Sequence, residues 1–160
     1  MRLVFTTADD WFGRATRAFS RSPISHVAIG LGDHGEHLLH AHDDGVVLEP
    51  RAAWVAKKNR VVAEYLITPD VSAGVAALTQ RIGEPWSAVE ATKIVLRRLF
   101  NRRARRWIPR DEHTCAQFVM LIDPTSAQIS EWRDVDRSTV VPGDLLRVAE
   151  YGTSFQRLFP

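Results

Sequence analysis

Alternating apolar and polar positions in the first half of the chain predict an antiparallel β-sheet. Short runs rich in valine, isoleucine and leucine, bounded by glycine, proline or aspartate, are typical of strands. We predict strands at residues 3–7, 26–31, 36–42, 46–48 and 60–67. Turn residues at 32–35 and 43–45 join three of these runs in succession, which indicates a meander with short loops.

Apolar residues at helical spacing alternate with these strands and dominate the second half of the chain. They predict helices at residues 11–19, 51–57, 70–82, 88–100 and 114–122. A turn at 142–144 is predicted to lead into a last strand at 145–148. This pattern predicts the α+β class, with helices packed on an antiparallel sheet of about five or six strands. Because no linker or repeat interrupts the pattern, residues 1–160 are expected to form a single domain.

Composition and cysteine count indicate the cellular compartment, but they do not indicate a class of binding partner. Twenty-one basic and 19 acidic residues leave a formal net charge of +2, which indicates no particular class of partner. A single cysteine cannot form an intramolecular disulfide, so a reducing compartment is expected. Acidic residues stand too early in the chain for a signal peptide, and no apolar run approaches the roughly 20 residues of a membrane span. We therefore expect a cytoplasmic protein. Association with a phage would leave no mark on the sequence.

Cys115, the only cysteine, stands where a polar stretch meets an apolar run. Thr114 and Gln117 have the spacing of a capping box, with Thr114 as the N-cap and Gln117 at the third helical position. A thiol in the first helical turn is expected to have a lowered pKa and backbone N–H groups near it. The alternative is a small buried residue on the apolar face of the helix.

Histidines on the predicted strands supply candidate partners for this thiol. His26 opens a strand, so its ring can stand at the sheet edge and take the thiol proton as a general base. His40 lies on the following strand and can orient His26 if the two strands pair. His42, two residues further on the same face, competes with His40 for that role. His113 is close to Cys115 in sequence, but its side chain is expected to point away, so it ranks below His26.

Neither a metal nor another cofactor is expected. Four histidines crowd together between positions 34 and 42, but apart from Asp43 and Asp44 they lack cysteine or carboxylate partners at a recognised metal-ligand spacing. His34 and His37 flank the predicted turn and are expected to be solvated.

Six short motifs, in order, resemble those of the circularly permuted NlpC-type papain-like proteins. This branch includes bacterial and phage amidase-like proteins and the lecithin:retinol acyltransferase-like group. The motifs lie at residues 25–32, 38–41, 45–49, 83–86, 114–119 and 141–145. The resemblance spans about residues 1–150 and implies a permuted papain-like domain. It also implies that Cys115 is the nucleophile, His26 the base and His40 the orienting residue.

The sequence departs from the family pattern at three of these positions. Trp86 stands where the family often has tyrosine, which removes a hydroxyl from the expected site. Ala116 and Gln117 replace the more usual serine and glutamate, which changes the local charge but not the chemistry that the resemblance implies.

Residues 97–110 carry seven arginines interleaved with leucine, phenylalanine, tryptophan and isoleucine. This mixture suits an anionic membrane surface, where aromatic side chains enter the interface and arginines meet head groups. The alternative is a solvated, basic helix end. Because the segment precedes Cys115, we expect Arg102, Arg103 and Arg106, together with Trp86, to contact the substrate. Nucleic acid is not the expected ligand.

These features predict a cysteine hydrolase that cleaves an amide bond through a thioester acyl-enzyme. The expected substrate is a peptide or a peptidoglycan fragment. A lipid acyl hydrolase or acyltransferase at an anionic membrane surface is the second hypothesis, favoured by the arginine-rich segment. The third is a binding module that retains a vestigial site without activity. No obligate protein partner is evident from the sequence.

Overall fold

The computed structural model describes residues 1–42, 45–85 and 114–159. The predicted helix at 88–100 and the arginine-rich segment at 97–110 lie outside these residues, as do His113 and Trp86. The account that follows concerns the described residues.

Six strands form one sheet in which every neighbouring pair is antiparallel. The strands are β1 (Arg2–Ala8), β2 (His26–Leu31), β3 (His37–His42), β4 (Gly45–Pro50), β5 (Asn59–Ile67) and β6 (Phe155–Phe159). Their order across the sheet is β4-β3-β2-β1-β5-β6. The α+β class, the antiparallel sheet and the five strands predicted in the first half are therefore confirmed.

Five α-helices and one 3₁₀ helix surround the sheet in the described part of the chain. The α-helices are α1 (Trp11–Ser20), α2 (Arg51–Ala56), α3 (Ser72–Thr79), α4 (Cys115–Met120) and α5 (Pro142–Tyr151). The 3₁₀ helix spans Ser130–Asp134. None of the described helices has the length and apolarity needed to cross a membrane.

Both faces of the central strands are buried. Successive side chains of a strand point to opposite faces, and each face is covered by its own cluster of apolar residues. The residues that β1 and β2 contribute to the larger core are Leu3, Phe5, Val27 and Ile29. The smaller cluster on the opposite face consists of Val4, Ala28, Leu38 and Trp54. Helix α4 packs into the larger core through Phe118, Val119 and Met120. Burial of one such side chain contributes about 1.5–3 kcal/mol, so this packing holds the Cys115 helix against the sheet.

The strand predicted at residues 145–148 is wrong, because this segment belongs to α5. Pro142 opens the helix, where its missing N–H costs no hydrogen bond and its fixed φ suits the first turn. The Asp144 carboxylate accepts a hydrogen bond from the Val141 N–H at 3.0 Å. Leu145 and Ala149, one helical turn apart, are both buried. The last strand is instead β6, which pairs with the edge of β5.

Candidate active site

Four strands end together at one end of the sheet and surround a small cavity. Strand β1 ends there at Ala8, β3 ends at His42, and β2 and β5 begin there at His26 and Asn59. These residues line a cavity of about 60 Å³ together with Cys115. Antiparallel pairing brings these strand ends together, so residues far apart in sequence meet at one place.

Cys115 reaches the cavity from the first position of α4. The Thr114 side chain accepts a hydrogen bond from the Gln117 N–H at 3.4 Å, and the Thr114 N–H donates to Gln117 Oε1 at 3.0 Å. The predicted capping box is therefore confirmed. Gln117 Nε2 also donates to the Arg137 carbonyl at 2.8 Å, which ties the start of α4 to the segment before α5.

A chain of hydrogen bonds leads away from the cavity through two histidines. His26 Nε2 lies 3.0 Å from His40 Nδ1, and His40 Nε2 lies 3.1 Å from Glu49 Oε1. Lys57 Nζ lies 2.9 Å from the second Glu49 oxygen. His26 lines the cavity, whereas His40 is fully buried behind it.

Strand register places both His40 and His42 within reach of His26, and the hydrogen bond is made by His40. Ile29 pairs with Leu39 between β2 and β3, so extending that register places His42 opposite His26 and His40 on the diagonal. The diagonal neighbour is still within reach of a long or aromatic side chain. The His42 ring instead lies edge-on to His26, with 5.9 Å between their centroids.

Trp54 of α2 closes this cluster from the side of the smaller core. Its indole lies 5.0 Å from the His26 ring, 4.7 Å from the His40 ring and 5.0 Å from the His42 ring, measured between centroids. Only 2% of Trp54 is exposed. The indole therefore keeps water away from the histidines and lowers the effective dielectric around them.

Both hydrogen-bonded histidines are neutral at pH 7. Burial holds the pKa of His26 well below 6.5, and the neighbouring His40 and His42 lower it further. Burial also lowers the pKa of His40, to about 4, although Glu49 favours its charged form. Desolvation disfavours an imidazolium more than the single carboxylate compensates.

The expectation that the Cys115 thiol has a lowered pKa is wrong. Burial raises its pKa to about 11, and backbone hydrogen bonds at Val27 and Ala116 oppose that rise only in part. Helix α4 has six residues, so its dipole and N–H groups offset little of the desolvation. Cys115 and His26 therefore face the cavity as a neutral thiol and a neutral imidazole.

Glu49 and Trp54 belong to this cluster, although the sequence did not single them out. Glu49 lies within the motif at residues 45–49. It could have been found by pairing β3 with β4, because that register places Glu49 diagonal to His40. Trp54 carries no comparable signal, because a tryptophan on a short helix is most often a core residue.

Two further histidines of the described residues, His34 and His37, do not line this cavity. His34 and His37 are exposed, as expected. The predicted substrate contacts Trp86, Arg102, Arg103 and Arg106 lie outside the described residues. Within residues 1–42, 45–85 and 114–159, no group of three or more histidine, cysteine, aspartate or glutamate side chains is arranged to hold a metal ion.

No protein-family model matches the chain, and no curated protein matches it significantly.

Proposed function

We propose that this protein is a cysteine hydrolase with a permuted papain-like fold, acting on an amide bond of a peptide or a peptidoglycan stem. One observation carries the proposal. Cys115 and His26 line the same cavity, and His26 is hydrogen-bonded to the buried His40. A thiol, a base and a group that orients the base are the parts that thiol-based acyl transfer requires.

The order of these parts along the chain supports the permuted arrangement. The histidines lie on early strands, and the cysteine begins a helix that follows them and packs on the same sheet. This is the order that the resemblance to the permuted NlpC-type proteins implies.

His26 acts in this mechanism as a general base for a thiol that is neutral at rest. Its Nε2 is engaged with His40, so Nδ1 is the nitrogen left to take the Sγ proton. As that proton moves, Sγ bonds to the substrate carbonyl carbon. The tetrahedral intermediate collapses when the carbon–nitrogen bond breaks and the leaving amine takes the proton from His26. Water then attacks the thioester, again with His26 as base, and releases the acid and the thiol.

Acyl-enzyme trapping tests the proposal. The folded protein is incubated with p-nitrophenyl acetate, and the acetylated residue is located by mass spectrometry. We expect acetyl transfer to Cys115 that falls by about 100-fold in His26→Ala, because general-base catalysis contributes roughly 10²–10⁴-fold. His37→Gln removes an exposed histidine from the same sheet and serves as the matched control.

Equal acetylation of Cys115 in the parent protein and in His26→Ala would overturn the catalytic assignment and favour a binding module with a vestigial site. For a protein that passes this test, release of amine from a peptidoglycan stem peptide distinguishes an amidase from an esterase. Cys115→Ser must abolish that release.

A lipid acyl substrate is the second candidate. Two observations favour it: the seven arginines at residues 97–110, and Trp11, which is 80% exposed and follows Asp10 at the cavity. Flotation with phosphatidylglycerol vesicles tests this alternative, with Arg102, Arg103, Arg105 and Arg106 replaced by serine as the control. Vesicle binding that the replacements abolish, together with release of fatty acid, would support the lipid substrate. Flotation no greater than with phosphatidylcholine vesicles would exclude it.

A further inference from the structure

The hydrogen bond between the two histidines makes their protonation states interdependent. A neutral imidazole has one N–H donor and one nitrogen acceptor, so only one of the two facing nitrogens can carry the shared proton. His26 Nε2 and His40 Nδ1 are the facing atoms, 3.0 Å apart. Whichever nitrogen of His40 is protonated therefore also decides which nitrogen of His26 is protonated.

Glu49 selects one of the two possibilities. A carboxylate accepts hydrogen bonds and does not donate them, so His40 Nε2 must carry the proton that lies towards Glu49 Oε1. His40 Nδ1 is then the acceptor and His26 Nε2 the donor. This leaves the lone pair on His26 Nδ1, the ring nitrogen that is not engaged with His40.

Lys57 keeps Glu49 in this role. Its ammonium donates to Glu49 Oε2 at 2.9 Å, which holds the carboxylate in place from the solvent side. Burial of Glu49 opposes ionisation, but hydrogen bonds from Lys57 and His40 outweigh it and lower the pKa of the carboxyl. His40 is fully buried, so water offers no alternative partner that could reverse its orientation.

We propose that Glu49 and Lys57 act as positioning residues that set the tautomers of both histidines, so that His26 presents an acceptor nitrogen to Cys115. The hydrogen-bonded relay of His26, His40 and Glu49 crosses three strands on one face of the sheet. Both of its contacts, His26–His40 and His40–Glu49, are diagonal pairs in the strand register. The tautomer assignment follows from the hydrogen-bond geometry alone, whereas its catalytic consequence rests on the proposed function.

The substitution Glu49→Gln is expected to reverse the whole relay without changing its shape. The Lys57 ammonium, which only donates, will select the carbonyl oxygen of the new amide. The amide NH₂ then faces His40 Nε2 and makes that nitrogen an acceptor. His40 Nδ1 becomes the donor to His26 Nε2, and His26 carries its proton on Nδ1, where it cannot accept one from Cys115.

Lys57→Met combined with Glu49→Gln provides the matched test. Without the ammonium the amide is free to turn its carbonyl oxygen towards His40, which restores the original tautomers. Lys57→Met alone retains the Glu49 carboxylate and therefore the original tautomers. Together, the three variants distinguish the effect of reversing the tautomers from the effect of losing the Glu49 carboxylate or the Lys57 ammonium.

Two measurements on the whole chain test the inference. Imidazole ¹⁵N chemical shifts report which ring nitrogen carries the proton, with signals assigned through His26→Gln and His40→Gln. Acetyl transfer from p-nitrophenyl acetate to Cys115 reports the chemistry. We expect Nε2–H tautomers for both histidines in the parent protein and Nδ1–H tautomers in Glu49→Gln. Acetyl transfer should fall about 100-fold in Glu49→Gln and recover most of that loss in the double variant.

Parent-like tautomers in Glu49→Gln would overturn the inference, and so would equal loss of acetyl transfer in the single and double variants. If Glu49→Gln shows reversed tautomers but the parent protein does not acetylate Cys115, the tautomer assignment is supported and the proposed function is overturned. The two failures are therefore distinguishable.

Discussion

At the scale of single residues, Cys115 and His26 line the same cavity in their neutral forms. Burial raises the pKa of the thiol to about 11 and holds that of the imidazole well below 6.5, so a resting thiolate–imidazolium pair is disfavoured. In the proposed mechanism, proton transfer therefore accompanies attack on the carbonyl, because the charge that develops on the substrate offsets the cost of separating charge. The Trp54 indole packs against the His26 ring and contributes to its burial.

The pH dependence of Cys115 alkylation tests this neutral pair. Only the thiolate reacts, and its fraction rises tenfold per pH unit below the pKa. With a pKa of about 11, the iodoacetamide rate should rise about tenfold per unit from pH 7 to pH 10 without levelling off. The rate for free cysteine, measured beside it, should level off above about pH 8.5. A plateau that begins below pH 7 would contradict the neutral pair and indicate a preformed ion pair.

At the scale of elements, the position of α4 depends on what packs around its two ends. The capping box holds its start at Thr114, and Gln117 ties that start to Arg137. Its far end leads to Ile122, which packs against α3 at Gly74. A Cβ built on Gly74 would lie 1.7 Å from the Ile122 carbonyl oxygen, so α3 approaches this backbone as closely as only glycine permits.

Gly74→Ala tests this close approach, because two effects act in opposite directions. Alanine favours a helix over glycine by about 1 kcal/mol, whereas overpacking against backbone costs about 1–3 kcal/mol. We expect net destabilisation, measured as a lower urea midpoint. Ala77→Gly, on the exposed side of the same helix, measures the propensity effect alone and should cost about 1 kcal/mol. An increased urea midpoint in Gly74→Ala would show that the helix and Ile122 are not in this contact.

At the scale of the whole molecule, buried polar clusters lie at both ends of the sheet. One end carries the histidine relay. At the other, Glu64 of β5 binds Arg2 of β1 and Arg51 of α2, each at 2.9 Å, with only 5% of its side chain exposed. The arginine pair compensates the buried carboxylate, whereas the histidines avoid the cost of burial by remaining neutral. Acid therefore opposes folding at the histidine end, because unfolding frees both imidazoles to bind protons.

The free energy of unfolding should fall as the pH drops from 6.5 towards 4. In this range the unfolded chain binds protons on His26 and His40 while the folded chain does not, so acid favours unfolding. Each histidine contributes a slope of at most about 1.4 kcal/mol per pH unit. Urea unfolding at pH 7, 6 and 5 measures the slope. His26→Gln/His40→Gln should flatten it, and His37→Gln should leave it unchanged. A parent protein equally stable at pH 7 and pH 5 would contradict the assignment.

Local pattern by itself determined five of the strands, the capping box at Thr114 and the residue types that could serve acyl transfer. These features depend on side-chain period and on hydrogen bonds between near neighbours, which a sequence displays directly. It did not determine that residues 145–148 are helical, because Pro142 opens a helix as readily as it ends a turn.

Tertiary structure alone decided which histidine meets His26, what lies behind it and how the site is charged. The register of β2, β3 and β4 placed His40 diagonal to His26 and Glu49 diagonal to His40, close enough for both hydrogen bonds. Burial set the pKa of Cys115 in the direction opposite to its helix position, because desolvation depends on every neighbour packed around a group. Those neighbours come from strands and helices far apart in the chain, and only folding brings them together.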